Sequence, residues 1–128
     1  MRGQALVETA LVMPLLMALF MGIVSFSFLA LAYADFTEAT SQAAQWWAEN
    51  PDQTPAQVQQ QAVADAPWPG LEASQVQVEP ADSQPAPGQW VTVRVVYPVG
   101  DLPGIGPVLK NLFHVGATLR VSSTYLAQ

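Results

Sequence analysis

Two groups near the start of the chain have the types and spacing to do chemistry. One is the Gly3-Gln4 peptide bond, a small residue followed by a polar one at the edge of an apolar run. Hydrolysis there would free an α-amine at Gln4. The other is the carboxylate of Glu8, which would then be the fifth residue of the shortened chain. A carboxylate held in apolar surroundings is costly until it finds an opposite charge, and an amine is one. No second group of this kind stands out. His114 is the sole histidine, cysteine is absent, and Asp65, Asp82 and Asp101 are dispersed. Metal ligation needs clustered donors and nucleophilic catalysis an oriented base. No catalytic residue, metal ligand or cofactor is therefore assigned. Gly100, Gly104 and Gly106 sit among prolines, where glycine serves turns rather than a phosphate cradle.

The element that must carry Glu8 is a helix. Between Glu8 and Asp35 lie 26 residues without a formal charge, more than the roughly 20 needed to cross hydrocarbon. Leu, Ile, Val and Phe supply twelve of them, which sums to roughly −5 kcal/mol of insertion energy. That is enough to absorb Pro14, Gly22, Ser25 and Ser27, so a transmembrane helix is predicted. Pro14 and Gly22 weaken it locally and admit a bend or melted turn between them. Arg2 precedes the run while Asp35, Glu38 and Glu49 follow it. The positive-inside bias then leaves the N-terminus in the cytoplasm and residues after about 35 outside. Ala32-Tyr33-Ala34 before Asp35 also has the small-x-small form of a signal cleavage site. The apolar run is longer than a signal core of roughly 7–15 residues, and Glu8 has no purpose in a disposable signal.

Past Asp35 the helix changes character. Phe36, Ala39, Ala43, Ala44, Trp46 and Trp47 recur at three- and four-residue spacings, with Glu38, Gln42 and Gln45 between them. Asn50-Pro51 ends it. Thr54-Pro55-Ala56-Gln57 reads as a capped start of a short helix that stops near Asp65, before Pro67-Trp68-Pro69-Gly70. The period then becomes two. Val76 and Val78 mark a short strand, and Val91, Val93, Val95 and Tyr97 are the inward set of the clearest one. Val108 to Phe113 is predicted as one helical turn, and Val115 to Tyr125 as a third strand. The fold class is α+β: a long helix, transmembrane first and amphipathic second, laid on an antiparallel meander of about three strands with one short extra helix. Residues 1–3 form a leader, 4–50 the helix and 51–128 a small extracytoplasmic domain. About 78 residues make only a marginal core, so help from the helix or from neighbouring copies is expected.

The net charge is −6, and Arg2, Arg94, Lys110 and Arg120 are the only basic residues besides His114. Without a basic tract, nucleic-acid binding is not expected. Trp46, Trp47, Trp68 and Trp90 are candidates for core packing or for an interaction surface. Trp46 and Trp47 are adjacent on a helix, so at least one is expected to face a neighbouring subunit.

The run Arg-Gly-Gln-Ala-Leu-Val-Glu-Thr-Ala-Leu-Val-Met-Pro-Leu-Leu, then Gly22-Ile23-Val24, resembles the TadE-like pilins of tight-adherence type IV pili. Its opening has the shape of a prepilin-peptidase site, with cleavage after Gly3 and Gln4 as the new terminus. The family places a proline where Pro14 stands and follows the helix with a small strand-rich domain. Val93 to Pro98 and Ala117 to Val121 look like its late strands. Family members often carry an acidic residue after the Gly-Ile-Val segment, where this chain has Ser25-Phe26-Ser27. The resemblance implies a pilin or pseudopilin held in the inner membrane and assembled through Glu8, Pro14 and Gly22 into an extracellular filament. It implies as partners a prepilin peptidase, other pilin subunits and the assembly machinery. A monomeric membrane-anchored periplasmic binding module is the alternative from a different class.

Overall fold

A computed structural model describes residues 2–66, 70–102, 106–113 and 116–128. Trp68 and its flanking prolines, His114 and Val115 lie outside the described residues. Helix α1 spans Arg2–Glu49 and runs without interruption across Pro14 and Gly22. The melted turn that the sequence admits is not there. A single proline removes one backbone bond while the ladder on both sides persists. Two compact units divide inside α1: residues 1–30, and residues 31–128.

The second unit is α+β. Helix α2 (Pro55–Asp65) starts at the expected capping box. The Gln57 amide donates to Thr54 Oγ1 at 3.4 Å and the Thr54 amide to Gln57 Oε1 at 2.8 Å. Val58 and Ala62 are its buried positions. Strands β1 (Val76–Glu79) and β2 (Trp90–Pro98) are followed by helix α3 (Gly106–Phe113) and strand β3 (Thr118–Leu126). The sheet is an antiparallel meander in the order β1-β2-β3. Helix α3 has eight residues rather than a single turn, because Pro107 falls in its first turn, where a missing N–H is harmless. Gly106 is required there: a Cβ would stand 2.5 Å from the Gly100 carbonyl oxygen.

The core lies between α1 and one face of the sheet. Val91, Val93, Val95 and Tyr97 are buried as the alternation predicts, with Val76 and Val78 beside them. From the helix come Ala32, Phe36, Ala39, Thr40, Ala43, Ala44, Trp47 and Ala48, all nearly or fully buried. This inward face begins at Ala32, inside the stretch read as membrane-spanning. Alanine and threonine there let the helix lie close to the strands, and Phe36 meets Tyr97 with ring centroids 5.1 Å apart. The backbone amide of Gln128 donates to the Ala48 carbonyl at 3.0 Å, satisfying one of the free acceptors that end a helix.

Strand β3 faces inward with less grease than its pattern suggests. Ala117 is exposed and precedes the strand, and only Val121 within it is fully buried. Two of its inner positions bond the helix instead: Ser123 Oγ lies 3.1 Å from Thr40 Oγ1, and Tyr125 Oη 2.8 Å from Ser41 Oγ. Thr40 also donates to the Thr37 carbonyl at 3.1 Å. Thr40→Val strips one buried hydroxyl and is expected to destabilise the unit by about 1 kcal/mol, since Ser123 keeps its group without its partner. Adding Ser123→Ala should restore part of that loss. Thermal melting of the four chains in detergent micelles measures the coupling.

Tyr97 is buried, and its hydroxyl donates to the Asp101 carbonyl at 3.1 Å. Gly70 stands beside it at φ +93°; a side chain there would be strained and would begin 3.6 Å from that hydroxyl. Burial, and then the Asp101 charge, raise the phenol above its ordinary value. The neutral form is therefore the one the fold prefers. Its contribution is complete below the unfolded value of about 10 and is lost as pH rises through the folded one. Melting temperature is expected to fall above about pH 10, and Tyr97→Phe to flatten that alkaline decline.

Candidate functional site

The first unit is one stretch of α1. Leu6, Leu11, Leu15, Met17 and Phe20 lie between 68% and 73% exposed, spread around the helix rather than along one face. A helix that is apolar all round is stable only among lipids or among other helices. The segment is long and apolar enough to cross a membrane. Its hydroxyls are arranged to suit such surroundings. Thr9 Oγ1 donates to the Ala5 carbonyl and Ser27 Oγ to the Ile23 carbonyl, each at 2.9 Å, so neither presents an unpaired donor outward.

Gly3 and Gln4 occupy the first turn and are exposed. Glu8 comes a turn later on the same exposed helix, flanked by Ala5, Thr9, Val12 and Met13. A Cβ added at Gly3 or Gly22 would meet nothing within 4 Å, so nothing in the described chain demands glycine at either. Pro14 leaves the Ala10 carbonyl without its helical donor. Within this chain these five residues share one helix but converge on no pocket.

Residues 3–45 match the family described as TadE-like protein. The match covers the N-terminal third of the chain. The TadE-like segment covers Gly3, Gln4, Glu8, Pro14 and Gly22 and runs into the amphipathic part of α1. The same segment contains the stretch that is long and apolar enough to cross a membrane. No curated protein and no solved structure matches the chain.

Beyond the TadE-like segment, the two tryptophans part company. Trp47 is fully buried and its indole N–H donates to the Gln53 carbonyl at 3.3 Å. It packs the core and offers no surface, which leaves Trp46, half-buried, as the outward member. Trp90 is 65% exposed and pairs with Leu126 at the end of the sheet.

Sequence reasoning also missed a feature of the outer sheet face. Arg94 stands opposite Ser122, and Arg120 opposite Val96, so both arginines share the face turned away from α1. With Gln77, Val96 and Ser122 they line a groove of about 490 Å³. Two dispersed arginines become diagonal neighbours only once the register is fixed, and no local signal states that register.

Proposed function

We propose that the chain is a Tad-type pilin or pseudopilin subunit, cleaved after Gly3 and assembled through its apolar helix into an extracellular filament. Before assembly it sits in the inner membrane with its N-terminus in the cytoplasm and the α+β unit outside. It acts by assembly and not by catalysis. The observation that carries this reading is a lone carboxylate, Glu8, near the start of the apolar stretch of α1 that runs to Ala34, within a TadE-like segment. In a bundle of such helices an unpaired carboxylate is costly. Cleavage after Gly3 makes the matching charge, an amine at Gln4, and a neighbouring subunit brings it within reach of Glu8. Pairing at each step sets the axial register.

The partners are a prepilin peptidase, other pilin subunits and the pilus assembly machinery. Mass spectrometry of the native N-terminus tests the reading. A chain that begins at Gln4 and is recovered in sheared filaments is the expected result. A chain that begins at Met1 and stays solitary in the bilayer is a plain anchor, and one that begins at Asp35 is a secreted protein. Either outcome overturns the proposal.

A further inference from the structure

The α+β unit carries opposite charges on opposite sides. On α1, Asp35, Glu38, Gln42, Gln45 and Glu49 follow one another at alternating spacings of three and four residues, which sets them in a line along the helix. This line lies on the side away from the buried Phe36, Thr40, Ala43 and Trp47. All but Asp35 are exposed, and Asp35 is half-exposed. The two glutamines hold the outer carboxylates in place: Gln42 Nε2 donates to Glu38 at 3.0 Å and Gln45 Nε2 to Glu49 at 3.1 Å. Across the core, the far face of the sheet holds Arg94 and Arg120, two of the four lysines and arginines in the whole chain, with Glu79 at its β1 end the one carboxylate that the strands place there.

We infer that the arginine-bearing sheet face of one copy docks on the acidic helix stripe of the next. This docking rests on the reading of the chain as a filament subunit and names the outer contact that goes with the buried helices. Diagonal neighbours across an antiparallel pair stand about 7–8 Å apart, a span that the guanidinium forks bridge to Asp35 and Glu38, whose Cβ atoms lie about 5–6 Å apart. Arginine matches carboxylate geometry with two parallel donors. Gln77 and Ser122, in the same groove, add neutral donors for a second carboxylate oxygen. A patch on one side meeting a different patch on the other is a heterologous contact, and such contacts propagate into helical filaments where rotation does not close a ring. The charges suit a second copy well: a chain of net charge −6 repels itself unless its few cations are placed against its carboxylates.

The chain contains no cysteine, so single cysteines report the contact cleanly. Full-length Ser122→Cys and Gln42→Cys chains are mixed in neutral phosphatidylcholine vesicles and oxidised mildly. The mixture is expected to form heterodimer faster than either chain forms homodimer, and more slowly at high salt. Arg94→Glu with Arg120→Glu in the Ser122→Cys chain lowers the yield about tenfold, as like charges now face each other. Arg94→Gln with Arg120→Gln lowers it less, in the same direction. Asp35→Lys with Glu38→Lys in the Gln42→Cys partner restores the yield of the reversed chain, which also shows that the reversed chain is folded. A yield indifferent to these charges, homodimers that form as fast as heterodimer, or no recovery in the swapped pair overturns the docking. Processing after Gly3 is read separately. A chain starting at Gln4 with charge-blind cross-linking sinks only this contact, whereas one starting at Met1 sinks the filament reading itself.

Discussion

Glu8→Ala is expected to leave synthesis, membrane insertion and cleavage after Gly3 intact while cutting incorporation into filaments by roughly two orders of magnitude or more. Removing one member of a buried ion pair costs about 3–5 kcal/mol, because the other charge stays buried without a partner. In the proposed filament the orphan would be the Gln4 amine of the neighbouring subunit. Inserting the single helix into lipid should become easier, since an acidic residue within a membrane segment is itself unfavourable. The variant thus separates the two states: more stable in the bilayer, less stable in the bundle. Glu8→Gln keeps size and hydrogen bonding and loses the charge, so its defect should fall between those of wild type and alanine. Shearing filaments from cells and comparing subunit in the sheared and membrane fractions measures the effect. Wild-type amounts of Glu8→Ala in filaments of unchanged register would rule out the pairing.

Trp47→Ala is expected to have the largest effect on the α+β unit, about 3–5 kcal/mol from lost transfer energy and the cavity left behind. Its side chain is the largest of those fully buried, and it also gives up the bond to the Gln53 carbonyl, which orders the chain just past the helix end. Small domains hold only about 5–15 kcal/mol in all, so the variant should be largely unfolded or readily proteolysed near physiological temperature. Trp46→Ala, one position along, should shift stability by less than about 1 kcal/mol, in keeping with its half-buried site. Limited proteolysis and near-ultraviolet circular dichroism of both chains in micelles make the comparison.

The contrast between these neighbours shows what the sequence disclosed. Periodicity grouped Phe36, Ala39, Ala43, Ala44, Trp46 and Trp47 on α1, and all but Trp46 are buried on its inner face, while alternation placed Val91, Val93, Val95 and Tyr97 opposite them. Both signals are local, so both were legible. So was the capping box at Thr54, whose residues lie within one turn. Strand β3 was only partly readable. Its inner positions Ser123 and Tyr125 look like solvent-facing residues until the helix hydroxyls 83 and 84 positions earlier are brought against them. The start of the docked face at Ala32 was hidden too, because an alanine suits lipid and a sheet equally well. The candidate site behaved in the same way. Glu8 stood out as a charge in an apolar run, whereas the pairing of Arg94 with Arg120 on one face depended on a register set by the whole sheet.

The layer that shields β2 is assembled from the two ends of this sequence. Thr40 and Ser41 leave the ribosome well before Ser123, Tyr125 and the Gln128 amide that caps Ala48. Loop closure over such separations is slow. During synthesis the inner face of α1 must therefore wait, incompletely covered, until β3 has been delivered. A nascent chain stalled before Thr118 would have no β3 to complete the barrier against water. Quality-control proteases should find their substrate in that interval, which closes only once β3 has arrived.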